Sequence, residues 1–395
     1  MGSRAYIPCM RLRSALVAAL AAAPALACAQ APVSTDPHLA RAQRALRATP
    51  LIDGHNDLPW AIRNAPDAPF DVEAYDLRGP TKGHTDIARL RAGMVGGQFW
   101  SVYIPGDTSV ARLGYAKVQL EQIDIALRVM AKYPDTFQSI TTAAGFRQAF
   151  AAGRIGSVMG MEGGHAIENS LGALRAFHAM GVRYMTLTHN VHLDWADAHV
   201  ANPRHDGLTA FGNEVVREMN RLGMLVDLSH TSVATMSDAL DVSAAPVMWS
   251  HANARAVHDH TRNVPDDILR RLPRNGGVVM VTFVPGFVTS APKATLVQVA
   301  DHIDHIKRVA GVDHVGIGGD FDGIDTVVEG LEDVSTYPAL FAELARRGWS
   351  EGDLKKLAGE NILRVMDQAE RVAARLQRER APSTATIERR APPGR

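Results

Sequence analysis

Cysteine is nearly absent. The chain of 395 residues has two, Cys9 and Cys28, and none beyond them. A fold built from the remainder has no disulfide, no thiolate ligand and no thiol nucleophile to draw on. Excess charge of one sign is also lacking, since 42 Lys and Arg face 42 Asp and Glu. No nucleic-acid partner is therefore expected, because polyanion binding leaves a basic footprint. Long apolar runs are missing too. The run Ala15–Ala27 falls short of the roughly 20 residues a membrane span requires. No repeat or low-complexity linker divides the chain, and 46% hydrophobic residues are enough for one large core.

What the N-terminus does have is Arg4, Arg11 and Arg13, then that short apolar run, then Ala25, Ala27 and Ala29. This is the three-part plan of a secretory signal. Residues 1–29 are expected to be a signal peptide and the protein to be exported, to a periplasm or outside the cell. Lipid attachment at Cys28 is the less favoured alternative, because Ala25 stands where a large aliphatic residue is preferred. The mature chain is expected to have no transmembrane span. Residues 30–370 are expected to form one domain. Residues 371–395, rich in Arg, Pro, Ala and Thr, read as a helix end and a disordered tail without the hydrophobic segment of a lipid-anchor signal.

From Leu51 onward short β-prone runs alternate with helical patterns. The runs are Leu51 to Asp53, Gln98 to Ile104, Gly156 to Met161, Tyr184 to Thr188, Leu225 to Leu228, Val247 to Ser250, Val278 to Val284 and Val315 to Gly319. Eight such strands separated by helices predict a closed (β/α)8 TIM barrel, in the α/β class. The spacing of Leu113, Ala116, Leu120, Ile123, Leu127 and Met130 predicts one buried helix face. Leu171, Leu174 and Phe177 predict another, stopping near Gly181. Ser350 and Asp353 read as a capping pair that opens a helix through Leu354, Leu357 and Ile362. Pro66 to Arg91 and the stretch after Asp320 are extra segments.

Active sites of such barrels lie at the C-terminal strand ends. Here those ends hold His55 and Asp57, Glu162, His189, His230, His251 and Asp320. Alone, His-x-Asp is more often a strand and a polar turn. In an extended chain, though, His55 and Asp57 share a face while Asn56 points the other way. The set as a whole is a cation site. Imidazoles and carboxylates without thiolate suit a zinc-like ion, and a pool this large suits two ions bridged by a carboxylate and a water or hydroxide. Glu162, followed by two glycines, is the natural bridge.

The motifs Ile52-Asp-Gly-His-Asn-Asp-Leu-Pro-Trp60, Glu162-Gly-Gly-His165, Tyr184-Met-Thr-Leu-Thr-His189, Val226-Asp-Leu-Ser-His230, Ser250-His251, Arg262-Asn-Val-Pro-Asp-Asp267 and Gly318-Gly-Asp-Phe-Asp-Gly323 resemble those of the membrane dipeptidase (renal dipeptidase) family of zinc peptidases. The resemblance runs from about Ala45 to Met366. It implies an amidohydrolase-like barrel with two Zn2+ ions, one on His55 and Asp57, the other on His230 and His251, bridged by Glu162 and a hydroxide. It further implies that His189 and Arg262 hold the substrate and that Asp320 transfers a proton. His189 can also donate to the oxyanion, and Arg262 can fork a free carboxylate. Asp322 is the rival of Asp320. One departure is Phe287, near which mammalian members carry a tyrosine.

The expected function is therefore a dizinc dipeptidase, acting on a small dipeptide with a free C-terminal carboxylate. Acceptance of a C-terminal D-residue, and a homodimer, are left open. The alternative is a related dimetal amidohydrolase acting on a lactam or another amide or ester, for which Arg262 would lack an anion in a neutral substrate. A binding protein without catalysis is disfavoured by the complete ligand set and Asp320. His165 and His192 read as supporting groups, His199 as a group at the mouth, and Trp60 as a wall of the pocket. The remaining histidines, His84 among them, read as surface or core.

Overall fold

All eight expected strands form. The computed structural model describes residues 36–387, so the expected signal peptide and the last eight residues lie outside the described residues. The strands are β1 (Leu51–Asn56), β2 (Val95–Ser101), β3 (Phe137–Ser139), β4 (Ile155–Glu162), β5 (Val182–Thr186), β6 (Leu225–Asp227), β7 (Met248–Trp249), β8 (Val278–Val281) and β9 (Val315–Ile317). Every residue of β1, β2, β4 and β8 is buried, as parallel strands covered on both faces must be.

The pairings are parallel throughout. β2, β1, β9, β8, β7, β6, β5 and β4 neighbour one another in that order, and β2 pairs again with β4, from Gly97 opposite Gly156 to Ser101 opposite Gly160. The ring is closed, with eight staves. β3, absent from the sequence expectation, pairs with Ile155–Ser157 of β4, while β5 pairs with Met159–Glu162 further along. It sits beneath β5 on the same edge and adds no ninth stave. Three residues are too few for an alternating pattern to register.

Inside the barrel, Ile52, Phe99, Val158, Tyr184, Met248 and Met280 pack in one cluster with Ile362, Val365 and Met366. The latter belong to the C-terminal helix, Asn361–Glu379, which meets Leu225 and Val278 where their strands begin. The opposite end, where strands stop, is left for chemistry. Gly160 on β4 has a packing reason: a Cβ there would stand 2.0 Å from the Tyr184 ring.

Helix starts follow their side chains. Ser350 Oγ accepts from Asp353 N at 3.0 Å as expected, and Leu354, Leu357 and Ile362 are buried. Leu171, Leu174 and Phe177 are buried, and the helix Leu171–Ala179 stops before Gly181, whose φ is +107°. The helix Tyr115–Lys132 forms, but its expected face is corrected. Leu113, Leu120 and Leu127 are exposed, and the buried side is Val118, Gln119, Gln122, Ile123, Ala126, Val129 and Met130. The leucine spacing is helical but misled because two glutamines lie inside. Gln119 Nε2, for one, donates to Val102 O at 2.8 Å, which makes its burial tolerable.

The helix end expected near residue 371 is present. Residues 371–379 continue the C-terminal helix, and Ser383 beyond it donates its N–H to Glu218 Oε2 at 3.2 Å while its carbonyl accepts from Arg175 Nη1 at 3.1 Å. Among the described residues no helix is long and apolar enough to cross a membrane.

Candidate metal centre and active site

β1 delivers His55, and Asp57 follows as the residue before the helix Leu58–Arg63. Both side chains are buried, with His55 Nε2 3.2 Å from Asp57 Oδ2. Glu162, the last residue of β4, lies across from them. Its Oε2 is 3.5 Å from His55 Nε2, while its Oε1 is 3.0 Å from His230 Nε2 and 3.3 Å from His251 Nε2. The two oxygens thus serve two groups of ligand atoms, as a bridging carboxylate does. His189 Nε2 stands further off, 3.9 Å from Oε1.

Proton positions decide what this cluster can hold. Asn190 Oδ1 can only accept, so His230 Nδ1, 2.9 Å away, carries the hydrogen. Ser250 Oγ donates to Asp227 Oδ2 at 2.7 Å, so it accepts from His251 Nδ1 at 2.8 Å. Both Nε2 atoms then bear lone pairs, yet they face each other at 2.9 Å. Two lone pairs and a carboxylate oxygen converging without a proton repel one another unless a cation lies between. On the other side, His55 Nε2 and Asp57 Oδ1 are buried without a hydrogen-bond partner. Nδ1–H of His55 can donate to Tyr184 Oη, 2.8 Å away, which leaves the Nε2 lone pair for a metal.

Electrostatics agree. Burial, Arg262 and His189 hold His230 well below the usual histidine range, and burial, His55 and Arg262 do the same for His251, so both are neutral ligands. Burial opposes charge on His55, but Tyr184, Glu162 and Asp57 outweigh it and raise its pKa well above the ordinary value. Burial also resists charge on Glu162, yet His55, His189 and His230 hold it well below the carboxylate range. A field that keeps a proton on a buried imidazole is one that attracts a metal ion. Three overlapping sets place one ligand atom per residue within 4.8 Å of one another: His55, Glu162 and His251; Glu162, His189 and His230; His55, Asp57 and Asp320. Two of them share Glu162, and the residues fit a pair of ions.

Around the cluster is a cavity of about 360 Å³ whose walls include Trp60, Tyr103, His189, Arg262, Phe287 and Asp320. Arg262 is 2% exposed, and its guanidinium stacks 5.1 Å over the Phe287 ring. Its Nη2 donates to His251 O at 3.3 Å, while Nε and Nη1 have no partner among the described residues. Burial lowers its pKa to about 10, against the pull of Asp320 and Glu162, so it remains a cation at neutral pH. Asp320 Oδ1 lies 3.8 Å from His55 Nε2. Burial lifts the Asp320 pKa well above the carboxylate range; His55 opposes this, and Asp57 and Glu162 reinforce it. Asp322 points elsewhere, accepting from His84 N at 2.6 Å. Gly323 between these groups is obligatory in size, since a Cβ would stand 2.2 Å from Asp57 Oδ2 and 2.7 Å from Asp320 Oδ1.

The sequence-predicted residues therefore converge. His165 Nε2 instead lies 3.0 Å from Ile104 O, supporting a loop, and His192 braces Asp197 and the carbonyl of Ala201. His199 joins the mouth, 3.0 Å from both Asn190 Oδ1 and Thr261 Oγ1. Sequence reasoning missed Tyr184, Asn190, Asp227 and Ser250, which orient ligands, and Tyr103, whose ring is 4.9 Å from those of Trp60 and His189. The signal for Asn190 and Ser250 was adjacency to His189 and His251. Tyr184 opens the motif that ends in His189, but nothing in that motif points to its contact with His55.

A closed parallel barrel with clustered imidazoles and a shared carboxylate at its strand ends defines a metal-dependent hydrolase of the amidohydrolase-like type. The chain belongs to the membrane dipeptidase family, peptidase family M19, whose profile matches residues 39–380, and it is a metallopeptidase with dipeptidase activity. A metallopeptidase from Rhodobacter sphaeroides, solved with a phosphinate mimic of the dipeptide L-Ala-D-Ala, is 29% identical, with a TM-score of 0.74 over 81% of this chain and 99% of that one. The dipeptidase AC, also of family M19, is 30% identical, with a TM-score of 0.73 over 81% and 98%. The probable dipeptidase PvdM from Pseudomonas aeruginosa, at 23% identity and a TM-score of 0.76 over 86% and 100%, shares the fold.

Proposed function

We propose that the protein is an exported dizinc dipeptidase that requires a free carboxylate on its substrate and accepts a D-residue as well as an L-residue at the C-terminal position. The observation that carries the carboxylate requirement is Arg262, a buried guanidinium whose Nε and Nη1 lack partners beside the cavity. An unpaired buried cation is costly, and a carboxylate is its complement. The cavity size suits a dipeptide. Acceptance of a D-residue is supported by the ligand of the Rhodobacter relative, export by the pattern of the first 29 residues, and zinc by a donor set of imidazole nitrogens and carboxylate oxygens.

His55 and Asp57 would hold one ion and His230 and His251 the other, with Glu162 between. When bound, the ions supply Lewis-acid polarisation of the scissile carbonyl and a water acidic enough to attack at neutral pH. The chain does the rest. Arg262 fixes the substrate carboxylate and so the register of the peptide bond. His189, beside Glu162 at the cavity, donates a hydrogen bond to the carbonyl oxygen as it gains charge. Asp320 takes the proton of the attacking water on its carboxylate and returns it to the leaving amine.

The test is hydrolysis of L,L and L,D dipeptides and of the same compounds as C-terminal amides, before and after exhaustive chelation. Cleavage of the free acids far faster than of the amides, lost on chelation and restored by zinc, is expected. Equal turnover of the amides, or full turnover after the metals are gone, would sink the reading.

A further inference from the structure

Between β1 and β2 the segment of residues 66–86 meets the ends of β1 and β9 at Gly83-His84-Thr85. The end of β1 and the loop after β9 grip it there, each with a neighbour of a site residue. Asn56, between His55 and Asp57, donates from Nδ2 to Thr85 Oγ1 at 2.8 Å. Asp322, two residues past Asp320, makes a reciprocal pair with His84. The His84 N–H donates to Asp322 Oδ1 at 2.6 Å, and the Asp322 N–H donates to His84 Nδ1 at 2.9 Å. The contact is close enough that a Cβ on Gly83 would come within 2.2 Å of Asp322 Oδ1.

The Asp320–Gly323 turn needs such a grip. Asp320 and Asp322 both have positive φ, +65° and +64°, a region that residues with side chains keep only when their surroundings hold them there. From the β1 side the turn is held at its first half, where Asp320 N donates to His55 O at 3.1 Å and Phe321 O accepts from Asp57 N at 2.9 Å. Its second half is held by His84. The Asp322 side chain, 1% exposed, turns its Oδ1 to that contact, while Asp320 Oδ1 faces His55 Nε2.

We propose that His84 is a positioning residue for the reaction: through its pair with Asp322 it locks the Asp320–Gly323 turn so that the Asp320 carboxylate faces His55 and Asp57. The kinetic half of the test rests on the dipeptidase reading; the structural half does not. His84→Ala removes the acceptor, while His84→Asn places an amide oxygen where Nδ1 stood. For His84→Ala we expect kcat to fall about tenfold to a hundredfold, the effect of a misplaced group, with KM and metal content as in the native enzyme. Backbone amides of residues 319–323 should exchange with deuterium faster. His84→Asn should recover both. Native kcat and native exchange in His84→Ala would overturn the proposal, as would a loss of kcat that tracks a loss of metal, or an Asn variant no better than Ala. If the native enzyme cleaves no dipeptide, the functional reading fails, and the exchange measurement still decides this one: faster exchange cured by Asn supports it, unchanged exchange overturns it.

Discussion

Glu162 reaches both halves of the site, with Oε1 3.0 Å from Nε2 of His230 and Oε2 3.5 Å from Nε2 of His55. A ligand shared in this way makes the two metal positions interdependent. Glu162→Gln keeps the shape but presents one amide N–H₂ to lone pairs, so both ions should weaken together, with kcat/KM falling more than about a hundredfold. Asp57→Ala touches one half only. Metal analysis by mass spectrometry should find fewer than one ion per chain in the first variant and close to one in the second. Two ions retained in Glu162→Gln would remove it as the bridge.

Tyr184→Phe isolates an orienting contact. The ring fills the space that Gly160 leaves for it, and only the hydroxyl, 2.8 Å from His55 Nδ1, is lost. Such partners of ligating imidazoles are worth about tenfold to a hundredfold in metal affinity. Competition with a chelating dye should show one weakened ion and one unchanged, with a thermal midpoint close to that of the native apoprotein.

What the sequence made legible, and what it hid, divides by the range of the interaction. His55 and Asp57, Glu162, His230 and His251 were readable because each follows a recognisable strand, and the barrel brings strand ends to one place. The role of Tyr184 was not, because it depends on β1 and β5 facing each other inside the barrel, and the sequence of one strand gives no sign of which residue lies under a histidine on another. His84 was read as a surface or core group for the same reason: its partner Asp322 is far away in sequence. The face of the helix Tyr115–Lys132 was misread because two residues that look polar in the sequence, Gln119, bonded to Val102 O, and Gln122, lie on its buried side. Three-residue β3 was too short to show any period.

Acid should destabilise the metal-free protein through its buried histidines. His302, fully buried, has its pKa pushed down to about 4 by burial, below the ordinary value of roughly 6.5. The sign follows from proton counts. Between pH 6.5 and 4 the unfolded chain binds a proton that the folded one refuses, so stability is present above 6.5 and is lost as pH falls towards 4, by ~3 kcal/mol for this group. Asp53, pushed up to about 6 by burial, works in the opposite direction: its contribution is present at low pH and is lost as pH rises from about 4 to 6. A comparison of variants separates them. Urea unfolding of His302→Gln should show a lower stability at pH 7.5 but a shallower loss between pH 6.5 and 4.5, by about one proton. Parallel curves for the two proteins would show that His302 titrates normally.

Arg262 is the residue whose replacement speaks most directly to substrate choice. Its Nη2 is used by His251 O, its face by Phe287, and its Nε and Nη1 by nothing among the described residues. A free carboxylate paired with those two donors loses a buried, charge-assisted pair when Arg262 becomes Met, a cost of about 2–5 kcal/mol. That loss should appear in kcat/KM for dipeptides and be nearly absent from the slow residual cleavage of dipeptide amides, which have no anion to pair. Arg262→Lys keeps the charge but not the fork, and should fall between the two. The ratio of acid to amide turnover is the decisive quantity. If it is the same in native, Lys and Met enzymes, Arg262 braces the His251 loop and the substrate carboxylate binds elsewhere. If it collapses with Met and recovers in part with Lys, the guanidinium is what restricts the enzyme to substrates that end one residue past the bond it cuts.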